Sequence, residues 1–255
     1  PGPAYWQQQV DYDIEATLDE TAHTITGTER ITYHNNSPDT LTYLWVQLDQ
    51  NNFDPNSNRN LADTVVQSSR FPSLTSGEIS IRRLESELLG PEFDGGFKIT
   101  RVASADGTPL PHVINETMMR IDLPTPLRSG QSTQFAIDWH YLITEDRVVG
   151  AMRSGREYFK DDGNWIYEIA QWYPRLAVYD DVNGWQIKHF VSAEFALEFG
   201  NFKVQLTVPD DHVVASTGVL QNPEAVLTKQ QRDRLAVART ADKPTYIVTP
   251  EEAEA

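Results

Sequence analysis

Val10-Asp11-Tyr12-Asp13-Ile14-Glu15-Ala16-Thr17-Leu18 decides the fold class. Val10, Tyr12, Ile14, Ala16 and Leu18 share one parity, while Asp11, Asp13, Glu15 and Thr17 share the other. Successive side chains of an extended chain point to opposite faces, so this alternation predicts a strand with one face buried and one in water. Asp19-Glu20-Thr21-Ala22 supplies a turn. Beyond it Ile25, Gly27, Glu29, Ile31 and Tyr33 fall on one parity against Thr24, Thr26, Thr28, Arg30 and Thr32. The second strand is expected to pair back on the first.

Outward from this hairpin the same grammar continues. Asn35-Asn36-Ser37-Pro38-Asp39 is turn chemistry, and Leu41 to Leu48 is a dense apolar run suited to a buried strand. Residues 51–78 form an excursion whose one periodic feature is a short helix over Leu61, Ala62, Val65 and Val66. Strands are predicted at Phe97–Ala103, Val113–Leu123 and Gln134–Leu142, separated by Asp106-Gly107, Pro124 to Pro126 and Ser129-Gly130. Further strands are predicted at Trp165–Ile169, Phe195–Phe199 and Phe202–Val208, with Gly200-Asn201 as a turn between the last two. Thr228 followed three residues later by Gln231 matches a capping box, which predicts a helix running to about Arg239 before Pro244 forbids continuation. The expected fold is all-β, a single mostly antiparallel domain over 1–255 with one or two short helices.

Charge and composition exclude several classes of function. The 255 residues carry 21 Lys plus Arg against 37 Asp plus Glu, a formal charge of −16, and no cysteine. No run holds more than two adjacent basic residues, so a nucleic-acid partner is not expected. The same sign of charge disfavours anionic membrane surfaces. Without cysteine there is no disulfide framework, thiolate zinc site or cysteine nucleophile. Apolar stretches such as Val213-Val214-Ala215 fall far short of the roughly 18 residues that span a bilayer.

Catalytic signatures are missing. The six histidines, His23, His34, His112, His140, His189 and His212, are never closer than 11 residues, and neither H-E-x-x-H, G-x-S-x-G nor a phosphate loop occurs. No catalytic or metal-ligating residue is therefore assigned, and the chain alone is expected to be inactive. Asp161-Asp162-Gly163-Asn164 offers oxygens to calcium but reads first as a hairpin turn, because it lacks the spaced calcium-loop pattern. Tyr158, Phe159, Trp165, Tyr167, Trp172, Tyr173, Tyr179 and Trp185 fall within 28 residues. Such a cluster either packs a core layer or forms a carbohydrate-binding face.

The order Tyr167-Glu168-Ile169-Ala170-Gln171-Trp172-Tyr173-Pro174-Arg175, Ala177-Val178-Tyr179-Asp180-Asp181, Phe202-Lys203-Val204-Gln205-Leu206-Thr207-Val208-Pro209 and Val214-Ala215-Ser216-Thr217-Gly218 resembles the gluzincin zinc aminopeptidases, the group containing aminopeptidase N and leukotriene hydrolase. The early hairpin, with Gly27 in its returning strand, resembles the opening of the same domain. The resemblance is strong over 165–220 and weak between 50 and 110. It implies the N-terminal domain of such an enzyme, a saddle of twisted sheets that walls one side of the active-site cavity. Zinc and the general base would then belong to a following catalytic domain, which is the implied partner together with the N-terminus of a peptide substrate. Gly150-Ala151-Met152 starts like the family's G-x-M-E-N motif, but Arg153 and Ser154 depart from it, and the match is taken as chance. The residues carried over are Gln171 and Tyr173, the positional matches to a family Gln or Glu that reaches the substrate's α-amino group. A free-standing binding module for carbohydrate or peptide and a zinc-less scaffold relative are the alternatives. Pro1-Gly2-Pro3 would suit the remnant of a processed exported protein.

Overall fold

The computed structural model describes residues 5–58, 93–145, 155–161, 163–189 and 196–253. The helix expected over Leu61 to Val66, the Gly150 to Met152 stretch and Asp162 lie outside the described residues. The chain divides into two compact units, one of residues 1–158 and 165–210 and one of 159–164 and 211–255.

In the first unit the opening hairpin forms as expected. β1 (Gln9–Asp19) pairs antiparallel with β2 (Thr24–His34) in unbroken register from Gln9↔His34 to Asp19↔Thr24. Asp19 closes the turn by accepting from the backbone N–H groups of Thr21 and Ala22, both at 2.9 Å. β3 (Leu41–Gln47), β4 (Lys98–Ser104), β5 (His112–Asn115), β6 (Met118–Leu127) and β7 (Ser132–Leu142) follow. Then come β8 (Gly155–Phe159), β9 (Asn164–Glu168) and the two-residue strands β10 (Arg175–Leu176), β11 (Tyr179–Asp180) and β12 (Gly184–Trp185), with β13 (Phe202–Thr207) last. They build a five-stranded sheet in the order β13-β1-β2-β7-β4, a four-stranded sheet in the order β10-β3-β6-β5, and the two-stranded pairs β11-β12 and β8-β9. The sheets are twisted and open, and none closes into a barrel.

One core joins the inner faces of the two larger sheets. Ile14, Ile31, Phe135, Ile137 and Trp139 come from the first, and Leu44, Val46, Met119 and Ile121 from the second. Gly27 permits the tightest packing within it. Gly27 lies opposite Trp139 on β7, and a Cβ there would land inside the Trp139 indole. Gly27→Ala is therefore expected to destabilise the unit by about 1–3 kcal/mol, the range for overpacking a filled core. Urea unfolding checks it, and an unchanged midpoint would count against the packing account.

Several boundaries depart from expectation. The single strand expected over Val113–Leu123 is a β5–β6 hairpin, turned at Glu116, whose φ is 54°. Pro124 and Pro126 lie inside β6, where the register with β3 jumps from Leu41↔Leu127 to Tyr43↔Asp122. Prolines fit there because that irregularity frees them from donating ladder hydrogen bonds. Gly200-Asn201 does not reverse the chain. Phe199 bridges Gln9, the N–H groups of Val10 and Tyr12 donate to the carbonyls of Phe199 and Asn201, and β13 continues parallel to β1. A Cβ on Gly200 would collide with the Val10 carbonyl, so glycine is needed for close approach and not for a turn. Residues 196–198, within the strand expected at Phe195–Phe199, form no strand.

The second unit contains α1 (Pro223–Val226), α2 (Lys229–Ala238) and α3 (Pro250–Ala253). The predicted capping box is present at α2: the Gln231 N–H donates to Thr228 Oγ1 at 3.3 Å, and the Thr228 N–H to Gln231 Oε1 at 2.9 Å. Arg234 pairs with Glu252 at 2.5 Å, tying α2 to α3.

Candidate functional site

A polar hub follows β3. The 3₁₀ turn Asp49–Phe53 buries Asp49, Gln50 and Asn52, and each of its first three side chains reaches a distant segment. Asp49 pairs with Arg175, the two side chains being 2% and 7% exposed. Burial pushes the Asp49 carboxyl up, and the opposing pull of the Arg175 charge does not fully offset it. The Gln50 side-chain amide donates to the carbonyls of Ala170 at 3.1 Å and Gln171 at 3.2 Å. Asn51 donates to the Glu116 carbonyl and accepts from the Phe97 N–H, both at 2.8 Å.

These contacts brace the stretch that leaves β9. Its far end is fixed as β10, with Arg175↔Gln47 and Leu176↔Val46, and the Leu176 N–H donates to the Tyr12 hydroxyl at 3.0 Å. Between the two anchors stand the residues singled out in the sequence. Gln171 is half-buried in the left-handed region, with φ of 54°, and its side-chain amide has no hydrogen-bond partner among the described residues. An L-residue with a Cβ adopts that region at a cost of about 1–2 kcal/mol, so the neighbouring contacts must hold it there. Tyr173 packs edge-on against Tyr12 at 5.4 Å and Trp172 at 5.0 Å. Burial lifts its hydroxyl to about 12, so it stays neutral near pH 7. The braced loop thus presents an amide, able to accept or donate, beside a neutral phenol.

The neighbouring tryptophans are all half-buried. Trp165 has Tyr158 at 5.0 Å, His23 at 4.8 Å and the Arg156 guanidinium at 4.7 Å. Trp172 meets Trp139 edge-on at 6.0 Å, and Trp185 lies 5.1 Å from Tyr179. A platform for sugars would lay two or more of these rings flat to solvent, whereas here each is half-buried against other rings or a cation. A cavity of about 220 Å³ beside Trp165 is lined by Glu145, Glu157, Tyr158 and Trp165.

The acidic stretches serve turns. The Gly163 N–H donates to the Phe159 carbonyl at 2.8 Å with Gly163 at φ 71°, and Asp180 Oδ1 accepts from the N–H groups of Val182 and Asn183. The histidines of the first unit are used singly. His34 bridges Asp11 at 2.9 Å and Ser132 at 2.8 Å on the water-facing side, and His23 meets the Tyr167 hydroxyl at 2.8 Å. Within either unit the described residues bring no three His, Asp or Glu ligand atoms together.

The hub Asp49-Gln50-Asn51-Asn52 had no sequence signal beyond four polar residues between the apolar run of β3 and Phe53. Its partners are distant in sequence, at 121 positions for Gln50 to Gln171, 126 for Asp49 to Arg175, and 65 and 46 for Asn51 to Glu116 and Phe97, beyond the reach of local patterning.

No protein-family model matches the chain, and no curated protein matches it. Among solved structures it is similar to an M1 zinc metallopeptidase from Deinococcus radiodurans. A mutant of that protein bound to a Tyr-Ser-Ala substrate matches at 12% identity, with 84% of this chain and 36% of that chain covered and a TM-score of 0.42. The same protein without that substrate matches at 13% identity over 84% and 35%, with a TM-score of 0.41. A mutant two-domain M1 zinc metallopeptidase bound to L-arginine gives the same identity, coverage and score as the latter, 13%, 84% and 35%, and 0.41. The chain therefore spans about a third of the length of the structures it matches.

Proposed function

We propose that this chain is the non-catalytic N-terminal β domain of a zinc metallo-aminopeptidase, walling the active-site cavity and offering Gln171 to the substrate's α-amino group. The observation that carries this reading is the Gln171 amide, without a hydrogen-bond partner among the described residues, on a loop anchored at both ends. The order of motifs between Tyr167 and Gly218 supports it. The zinc and the general base belong to a following domain that would carry H-E-x-x-H, and this chain's part is binding and orientation. A Gln carbonyl oxygen accepts a hydrogen bond from an ammonium group without adding a fixed charge to the cavity. Tyr173, neutral near pH 7, adds a phenol to the same braced loop.

In the full-length protein Gln171→Ala is expected to lower kcat/KM for aminoacyl substrates roughly ten- to a hundredfold, since a hydrogen bond to a charged group contributes about 1.5–3 kcal/mol. The circular dichroism of the variant should match the parent. An unchanged kcat/KM in a folded Gln171→Ala protein removes Gln171 from the site, and a loss seen instead in Tyr173→Phe would transfer the role to the phenol.

A further inference from the structure

Gln50 is 2% exposed, yet its side chain makes no contribution to the apolar core. Its amide group instead donates to two successive carbonyls, those of Ala170 and Gln171. A primary amide has two N–H donors, and here both go to the backbone of the residue whose φ is left-handed and of the residue before it. These two carbonyls belong to the peptide units on either side of the Gln171 Cα, so donors placed on both hold the two planes, and with them the direction in which the Gln171 side chain departs. The 3₁₀ turn that carries Gln50 is itself anchored by Asp49 to Arg175 and by Asn51 to Glu116 and Phe97, so the clamp is rigid on its own side. The loop has no equivalent bond from its own side chains, since the Gln171 amide makes none among the described residues.

We propose that Gln50 is a positioning residue: it holds Gln171 in the left-handed conformation that aims its amide at a primary ammonium group, and so sets the affinity for that group without touching it. This rests on the amine-binding reading of Gln171 above. Pre-organised donors and acceptors hold a ligand better than mobile ones because the ordering is done before binding.

The test uses Gln50→Met, which keeps the length and removes both donors, and Gln50→Glu, which keeps the shape and turns an acceptor toward the two carbonyls. Both are made in the full-length protein, alone and combined with Gln171→Ala. KM for aminoacyl substrates should rise about five- to twentyfold in Gln50→Met with kcat within about twofold, as loss of one or two hydrogen bonds predicts. Affinity for an N-acetylated analogue should not change. The double variant should be no worse than Gln171→Ala, because the clamp acts only through Gln171. Amide exchange at Gln171 and Trp172 should quicken in either Gln50 variant. A Gln171→Ala effect with no KM change in a folded Gln50 variant, or losses that add in the double variant, overturns the positioning role. If Gln171→Ala is silent while exchange still quickens in Gln50→Met, the clamp exists but serves no amine site at Gln171, and the positioning role falls together with the assignment of Gln171.

Discussion

Asp49→Ala is expected to destabilise the first unit by about 3–5 kcal/mol, the range for removing one partner of a buried ion pair. The Asp49 and Arg175 side chains are 2% and 7% exposed, so neither charge is shared with bulk water. Removing the carboxylate deprives the buried Arg175 guanidinium of its bond to the turn that follows β3. Burial raises the Asp49 carboxyl despite the adjacent cation, so the pair carries a desolvation cost, and replacing both members of a buried pair by apolar side chains of similar size is often neutral or stabilising. It follows that Asp49→Leu combined with Arg175→Met should recover most of the loss, whereas independent sites would add. All six tryptophans lie in the first unit, so their fluorescence during urea unfolding reports on it alone. A single variant within about 1 kcal/mol of the parent, or a double variant as poor as the sum, would contradict this account.

What was legible in the sequence follows from how far each signal reaches. The β1–β2 hairpin could be read because alternation and a short turn are local, and each strand boundary lies within a residue of the expected one. β13 shows the limit of the same signal. Phe202, Val204 and Leu206 alternate as cleanly as Val10, Tyr12 and Ile14, and lie level with Tyr12, Ile14 and Ala16, yet every residue of β13 is exposed. Alternation marks a face but cannot say whether anything covers it. The β5–β6 turn was missed because Glu116 takes a conformation usually marked by Gly or Asn. Of the candidate site, Gln171 and Tyr173 were nameable through family resemblance alone. The residues that brace them were invisible because Asp49 and Gln50 act on partners brought near only by the fold.

Glu29 makes the strongest case for a pH-dependent fold. It lies at the centre of β2 on the inner face, 0% exposed, and neither carboxyl oxygen has a hydrogen-bond partner among the described residues. Burial alone pushes its pKa well above 4.5, so the folded chain keeps it protonated where the unfolded chain ionises it. Between pH 4.5 and that raised value the native state therefore holds one more proton than the unfolded state. Stability falls by about 1.4 kcal/mol for each unit that pH rises through this window, and is fully present below it. Glu29→Gln keeps the shape, cannot ionise, and lacks the slope. Its midpoint in urea should be close to the parent's at pH 4.5 and exceed it progressively at pH 5.5 and 6.5. The opposite sign, a parent that gains stability over Glu29→Gln as pH rises, would mean that Glu29 is ionised and paired in the folded protein. Parallel curves would mean that water reaches it. The second outcome would also bear on the loop above, because Tyr12 and Tyr173 both sense the Glu29 charge. A charge appearing there would disfavour ionisation of those phenols and leave them hydrogen-bond donors, so the neutrality of Tyr173 near pH 7 does not depend on which state Glu29 adopts.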